Sequence, residues 1–215
     1  MLVRHAQASF GTDDYDRLTE LGWRQSRWLG EYLAERGIRF DRVVRGTLRR
    51  HAETLAGIGE GMGAVLACEE NKGLDEYDSH ALLRAYGGSE TPQGNDRRQH
   101  FRLLREALYA WTDGTPGGAP HEPFAEFRGR VLAALAAIRE SKARRVLVMS
   151  SGGPISTILA EVLGMPARGV VDLNLQTRNT GISQLQSGAS RIHCVSFNNV
   201  PHLERPGRSD ALTYA

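Results

Sequence analysis

Short apolar runs alternate along the chain with longer stretches in which apolar residues recur every three or four positions. The short runs are typical of buried strands, and the longer stretches are typical of helices with one apolar face. Strands are predicted in this way over 1–3, 40–44, 64–67 and 146–149, and a final hairpin over 182–185 and 192–197. Strands that alternate with helices predict an α/β fold with a mostly parallel central sheet.

The predicted helices have recognisable ends. Thr19 can cap the first helix, and Gly37 suits its end because glycine readily adopts the left-handed backbone found there. The segment 123–142 has apolar residues at helical spacing and is the clearest helix of the chain. Pro154 is placed as the first residue of a helix that runs to Gly164. The remaining helices are predicted over 47–59 and 96–111.

The middle of the chain is rich in turn-forming residues. Glycine, serine, proline and asparagine crowd 86–96, and glycine and proline recur over 112–123, so both stretches are predicted to be loops. We interpret residues at about 77–123 as an insertion that covers the site, within a single domain spanning 1–215.

Composition narrows the class of protein. A net charge of +2 is too small to indicate binding to nucleic acid or to an anionic membrane. Cys68 and Cys194 lie in apolar runs, so two buried thiols are expected, with a disulfide the less favoured alternative. Metal-ligand spacings, a signal segment and a long apolar span are all lacking from the sequence, so we expect a cytoplasmic protein without a bound metal.

Polar clusters follow three of the predicted strands. They are Arg4-His5, Arg49-Arg50 and Ser151-Gly152-Gly153. Arginine offers a planar fork that suits phosphate, and the start of a helix offers free backbone amides. The imidazole of His5 can serve as a nucleophile, a base or a metal ligand. If the clusters converge, they make a phosphate site; if they do not, they are ordinary polar surface.

Six segments, taken in order, resemble motifs of the histidine phosphatase superfamily, the phosphoglycerate-mutase-like proteins. The opening Leu2-Val3-Arg4-His5-Ala6-Gln7-Ala8-Ser9 resembles the family's signature strand and loop, whose hallmark is Arg-His-Gly. Residues 47–54 are similar to its Ser-Pro-Leu-x-Arg-Ala-x-x-Thr element. Further matches are 18–25 to Leu-Thr-x-x-Gly-x-x-Gln, 74–76 to Leu-x-Glu, 146–153 to Val-x-Val-x-Ser-His-Gly-Gly, and 198–203 to a segment of phosphatase-type members.

This resemblance implies a three-layer α/β/α sandwich around the mostly parallel sheet, and it implies roles for individual residues. His5 would be the catalytic nucleophile and Glu76 the general acid and base. Phosphate would be bound by Arg4, Arg50, Ser151 and Gly152, with Arg49 pointing away round the helix. Gln7, Ser9 and His202 are further candidates for the substrate pocket. Neither a metal nor a cofactor is implied.

Two positions depart from the family pattern. Ala6 replaces the glycine of Arg-His-Gly, and Ser151 stands where the family has a second catalytic histidine. Losing one hydrogen bond to a charged group slows a step by about 10- to 100-fold. The Ser151 hydroxyl and the amides of Gly152 and Gly153 could recover part of that contact, or another imidazole could reach the same place, with His202 as the first candidate. On this basis Ser151→His is expected to raise turnover.

The function expected from these features is a phosphomonoesterase that acts through a phosphohistidine on a small phosphorylated metabolite, with turnover reduced by Ser151. One alternative is a catalytically weak protein that binds a phosphorylated ligand or regulates through it. A second alternative is a phosphoglycerate mutase. The expected partner is a small phosphorylated substrate, not nucleic acid or membrane, and the apolar final hairpin is a candidate surface for a homodimer.

Overall fold

A computed structural model of the protein describes residues 1–9, 16–86, 97–115, 122–141, 143–188 and 190–214. The strands described are β1 Leu2–Arg4, β2 Arg42–Arg45, β3 Glu69–Glu70, β4 Val146–Ser150, β5 Ile182–Ser187 and β6 Ile192–Asn199. The helices described are α1 Glu20–Glu35, α2 Arg49–Met62, α3 Ser79–Tyr86, α4 Arg97–Thr112, α5 Phe124–Arg139, α6 Gly152–Leu163 and α7 Arg168–Asn174. Short 3₁₀ helices span Lys72–Leu74 and Ser209–Ala211.

The strands form one sheet in the order β3-β2-β4-β1-β5-β6. The first three pairings along this order are parallel, and the two that involve β5 are antiparallel. In the parallel part, Arg4 of β1 pairs with Ser150 of β4, and Arg45 of β2 pairs with Met149. Three neighbouring strands therefore end at the same edge, and the residues that follow them lie side by side there.

Helices cover both faces of the sheet, because alternate residues of a buried strand point to opposite sides. Leu2, Val44 and Val148 pack on one side with residues of α4, α5 and α6. Val3, Val43, Leu147 and Met149 pack on the other side with α1 and α2. The predicted α/β fold with a mostly parallel sheet and helices on both faces is confirmed.

Several predicted element ends agree with the structure. Thr19 caps α1, accepting a hydrogen bond at its Oγ1 from the Gly22 amide at 3.0 Å. Gly37 follows the helix with a φ of 61°, and Gly164 ends α6 with a φ of 66°. The strand over 146–149 and the final hairpin are also found. Pro154 is the third residue of α6 and not the first, because the helix already begins at Gly152; Ser151 holds the N-cap position without a side-chain capping hydrogen bond.

The prediction of a strand over 64–67 is wrong. Gly63 ends α2 in the left-handed conformation with a φ of 64°, and Val65 is 98% exposed. The strand that pairs with β2 is instead Glu69–Glu70, an edge strand selected by backbone pairing and not by apolar side chains. For the same reason Cys68 is an exposed free thiol and not a buried one, while Cys194 is a half-buried free thiol.

The predicted insertion contributes to the core. Its described parts hold α3 and α4, whose Leu82, Leu104, Leu108 and Trp111 join the cluster on the α5 and α6 side. Most of the predicted loop over 86–96, and residues 116–121 of the second loop, lie outside the described residues. That the insertion covers the site stays a prediction. Within the described ranges, none of the helices has the length and apolar character needed to cross a membrane.

Candidate functional site

His5 is held rigidly at the end of β1. Its backbone amide donates to Ser150 O at 2.9 Å, and its carbonyl accepts from Asn179 Nδ2 at 3.1 Å. The imidazole is 3% exposed, and its Nδ1 lies 2.7 Å from the Ala6 carbonyl oxygen. Because a carbonyl only accepts, Nδ1 carries the hydrogen and Nε2 is left with a lone pair. The residue therefore presents a nitrogen that can attack an electrophile.

Helix α2 fixes the loop that follows His5. Thr54 Oγ1 accepts from the Ala6 amide at 3.0 Å and donates to the Arg50 carbonyl at 2.6 Å. Ala6, which stands where the family has glycine, is fully buried. This contact couples the position of His5 to that of the arginine on α2.

Besides burial, the positive charges of two guanidinium groups, those of Arg50 and Arg4, lower the pKa of His5. Arg4 donates from Nη1 to the carbonyl oxygens of Thr177, at 2.6 Å, and Tyr214. Arg50 donates from Nη1 to Asp16 Oδ1 at 2.7 Å, and its side chain is 8% exposed. Burial lowers the pKa of His5 well below its usual value, and the charges of Arg50 and Arg4 lower this pKa further. The imidazole is therefore neutral at neutral pH.

Arg49 and Arg50 differ sharply although they are adjacent. Arg49 has a side chain that is 54% exposed and bonds Glu53 one turn along the helix. Successive helical residues point about 100° apart, so only one of the two can face the strand ends. Arg50 is the one whose charge lowers the pKa of His5, and its role in binding phosphate stays a prediction.

Glu76 reaches the site from the loop after β3. Its two carboxylate oxygens each lie 3.1 Å from the backbone nitrogen of Gly153, near the start of α6. Desolvation raises the pKa of Glu76 above its usual value, against the opposing effects of the Gly153 amide and of the Arg50 and Arg4 charges. A raised pKa increases the share of carboxyl groups that carry a proton, which is the form a general acid needs.

The loop that carries Glu76 is hydrogen-bonded to β4 and α5, and Glu76 packs closely against the start of α6. Ser150 Oγ donates to the Leu74 carbonyl at 2.6 Å, and Arg130 Nη1 donates to the Asp75 carbonyl at 2.7 Å. A Cβ atom at position 153 would stand 2.1 Å from Glu76 Oε1. Glycine is needed at 153 because only a residue without a side chain lets the carboxyl group approach the helix start.

His51 is a site residue to which the sequence reasoning gave no role. Its Nε2 lies 2.7 Å from Ser151 Oγ, and its ring centroid is 5.9 Å from that of His5. Both His51 and Ser151 are fully buried. Burial and the Arg50 charge lower the pKa of His51 to about 3, so this imidazole is also neutral. One feature of the sequence could have indicated it: His51 stands where the family element has alanine.

The three residues predicted for the substrate pocket, Gln7, Ser9 and His202, form hydrogen bonds with other parts of the chain. Gln7 Oε1 accepts from Thr19 Oγ1 at 2.7 Å, so this side chain is bonded to the start of α1. Ser9 is 8% exposed, and its amide donates to the Arg17 carbonyl. His202 is fully buried with its Nε2 2.7 Å from Thr180 Oγ1. The imidazole that bonds Ser151 is thus His51 and not His202.

The arrangement combines a neutral nucleophilic nitrogen, two cations and a carboxyl group whose pKa is raised by burial. Cations beside a nucleophile stabilise the charge that builds on phosphoryl oxygens during transfer. Among the described residues, no group of three or more histidine, cysteine, aspartate or glutamate side chains is arranged to hold a metal ion. The chemistry that these side chains suit is transfer of a phosphoryl group to His5.

Several proteins of known name are similar to this chain in sequence. The 2,3-bisphosphoglycerate-dependent phosphoglycerate mutase of Methylorubrum populi is 28% identical over 189 residues, which cover 82% of this chain and 84% of that protein. A protein of Hydrogenobacter thermophilus, provisionally named phosphoserine phosphatase 2, is 26% identical over 219 residues, covering 95% and 97%. Both alignments extend over most of the two chains compared.

Solved structures share the fold. The mycobacterial glucosyl-3-phosphoglycerate phosphatase superposes with a TM-score of 0.65 at 23% identity, covering 92% of this chain and 96% of that one. A phosphoserine phosphatase from Entamoeba histolytica superposes with a TM-score of 0.62 at 20% identity, covering 94% and 97%. Residues 1–200 match the family described as histidine phosphatase superfamily, branch 1. The chain therefore belongs to the histidine phosphatase superfamily.

Proposed function

We propose that the protein is a phosphomonoesterase that hydrolyses a small phosphorylated metabolite through a phosphohistidine on His5. One observation carries the proposal: a buried, neutral imidazole with its Nδ1 2.7 Å from a carbonyl oxygen is acted on by the charges of both Arg4 and Arg50. Such surroundings favour a nucleophile for an electrophile that brings negative charge with it.

In the first step, His5 Nε2 attacks phosphorus in line with the leaving oxygen, so that an N–P bond forms as the P–O bond breaks. Arg4 and Arg50 stabilise charge on the phosphoryl oxygens. Glu76 transfers its proton to the leaving oxygen, and an alcohol departs. In the second step, the Glu76 carboxylate takes a proton from water, the water oxygen attacks phosphorus, and the N–P bond breaks to release phosphate and free His5.

The names of the relatives support this class of substrate. A phosphoserine phosphatase and a glucosyl-3-phosphoglycerate phosphatase both act, by name, on phosphate esters of small metabolites. The Methylorubrum populi relative supports the second candidate, a phosphoglycerate mutase. The third candidate, a protein that binds the phosphorylated ligand without turnover, is supported by Ser151 in place of the second histidine.

Rapid acid-free quenching of the reaction with ³²P-labelled phosphoserine or 3-phosphoglycerate distinguishes the candidates. The phosphomonoesterase is expected to accumulate a phosphoenzyme that is stable in base and labile in acid, as a phosphoramidate is, and to release inorganic phosphate to water. Peptide mapping is expected to locate the label on His5. A mutase would return the label to a phosphoglycerate, and absence of any label would leave the ligand-binding role.

The rate of phosphoenzyme formation is expected to rise and then fall as the pH increases. The rising limb of this profile belongs to His5 and the falling limb to Glu76. His5 must be neutral, so the rate rises with pH through a His5 pKa that is well below 6.5. Glu76 must be protonated, so the rate falls with pH through a Glu76 pKa that is above 4.5. Because the two shifts move these pKa values in opposite directions, they favour the active protonation state.

Glu76→Gln tests the assignment of the falling limb. This variant is expected to lose the limb and to react more slowly with an alkyl phosphate than with p-nitrophenyl phosphate, whose leaving group needs no proton. Stopped-flow measurement of the burst phase across pH gives both profiles. A falling limb that survives in Glu76→Gln would show that another group supplies the proton.

A further inference from the structure

Three neighbouring strand ends bring three residues close to one imidazole, that of His51. His5 follows β1, Gly46 follows β2 and Ser151 follows β4, and these strands are neighbours in the sheet. His51, from the first turn of α2, lies among them. Its ring is 5.9 Å from the His5 ring, and its Nε2 is 2.7 Å from Ser151 Oγ.

The His51 imidazole packs closely against the backbone of Gly46. A Cβ atom at position 46 would be 2.4 Å from His51 Nδ1, so the ring occupies the space that any other residue at 46 would need. Nδ1 is also 3.9 Å from Asp75 Oδ1, whose carboxylate accepts from the Thr47 amide at 2.6 Å and from Thr47 Oγ1 at 2.5 Å. The ring is thus fixed at one end by packing and at the other by Ser151.

We infer that His51 is a positioning residue which acts through the Ser151 hydroxyl, and that the His51–Ser151 pair gives this site the function of a second imidazole beside His5. The inference rests on the proposed phosphoryl transfer to His5. Ser151 contacts the transferring group, and His51 orients its hydroxyl. The exchange is consistent with departures from the family motifs at both positions of the pair, histidine in place of alanine at 51 and serine in place of histidine at 151.

The protons of the pair follow from what a phosphoryl group can accept. Nδ1 of His51 faces two acceptors, the Gly46 carbonyl and Asp75 Oδ1 at 3.9 Å, so in the resting pair Nδ1 carries the hydrogen and the Ser151 hydroxyl donates to Nε2. In a second arrangement, the hydrogen is on Nε2, Nε2–H donates to Oγ and the hydroxyl hydrogen points elsewhere. The oxygens of a fully deprotonated phosphoryl group only accept hydrogen bonds. A phosphoryl group beside Ser151 therefore selects the second arrangement, in which the hydroxyl donates to it and His51 fixes the direction of that bond.

A double-mutant cycle tests the coupling between the two residues. His51→Ala and Ser151→Ala are each expected to slow phosphoenzyme formation with p-nitrophenyl phosphate by about 10- to 100-fold, with KM changed by less than about threefold. The double variant is expected to be no slower than the slower single variant, because both changes remove the same contact. Ser156→Ala is the matched control, since Ser156 is a fully buried serine of the same helix whose hydroxyl makes no hydrogen bond to the described residues.

The reciprocal exchange is a sharper test because it does not rely on loss of function. Ser151→His alone is expected to lower the rate, which reverses the expectation from the family pattern, because a histidine at 151 would collide with the His51 ring. In the double variant His51→Ala/Ser151→His that ring is gone, and the rate is expected to return to within about threefold of the wild-type rate. Urea unfolding of each variant reports separately on stability.

Several results would overturn the inference: single losses that multiply in the double variant, a single variant with an unchanged rate, a Ser151→His variant faster than wild type, or an exchange variant no faster than His51→Ala. If one single variant does not fold, the exchange variant still decides the question. Failure of the proposed function is distinct, because wild-type protein would then form no phosphohistidine. A wild-type protein that forms one, with variants that are unaffected, refutes only the role of His51 and Ser151.

Discussion

Replacing His5 with alanine is expected to lower turnover on p-nitrophenyl phosphate by at least about 10⁴-fold and to abolish the phosphoenzyme, because the covalent route has lost its nucleophile. Phosphate binding is expected to persist. Arg4 and Arg50, which would hold a phosphate, donate hydrogen bonds to oxygens of Thr177, Tyr214 and Asp16, and these acceptors remain when the His5 ring is removed. Inhibition of the wild type by inorganic phosphate, and binding of phosphate to the variant by calorimetry, measure this separately.

His193→Ala is the control for the same change at a distance. His193 is exposed on β6 and its ring contacts Arg191, so its removal is expected to leave turnover unchanged. A His5→Ala variant that is folded and retains more than about 1% of wild-type turnover would refute covalent catalysis by His5. The unfolding free energy of both variants establishes that the comparison is between folded proteins.

The second large effect is expected from Arg50→Gln, which should lower kcat/KM by about 10²- to 10³-fold, as loss of a charge-stabilising donor does in other enzymes. The cause is the burial of Arg50, whose side chain is 8% exposed and whose charge acts on both His5 and Glu76. A buried charge close to the reacting atoms is screened little by solvent, so its removal is felt in full.

Arg49→Gln is the matched control because the residue is adjacent, chemically identical and 54% exposed. Its pairing with Glu53 is a surface contact within one helix, which contributes only about 0.3–0.5 kcal/mol to stability. Turnover is expected to change by less than about twofold. Equal effects of the two substitutions on kcat/KM and on the inhibition constant of inorganic phosphate would contradict the assignment of Arg50.

The sequence predicted correctly those structural features that depend on a few neighbouring residues. The cap at Thr19 and the left-handed glycines after α1 and α6 depend on residues within a few positions of each other. The prediction for 64–67 failed because apolar character alone does not select a strand. Helix α2 runs on to Met62, and pairing with β2 begins only at Glu69, so Val65 is left almost fully exposed.

The candidate site likewise contains residues that the sequence identifies and a contact that it does not. Arg50 could be chosen over Arg49 from the helix period and the family motif, and Glu76 from the motif that holds it. The partner of Ser151 could not be chosen, because the family motif marks His51 only as a departure from alanine and does not indicate that it contacts a residue 100 positions away. His202 was the more obvious candidate as a late histidine, yet its ring bonds Thr180.

The sequence by itself determined the α/β class, the family and the identity of His5, Arg4, Arg50 and Glu76 as candidates, because strand periodicity, helix ends and short motifs are properties of contiguous residues. Only the tertiary structure decided which side chains share the space at the strand ends. The contact between His51 and Ser151 exists because β2 and β1 pair on either side of β4 and because Gly46 has no side chain. Packing between distant segments fixes such contacts, and no local pattern records them.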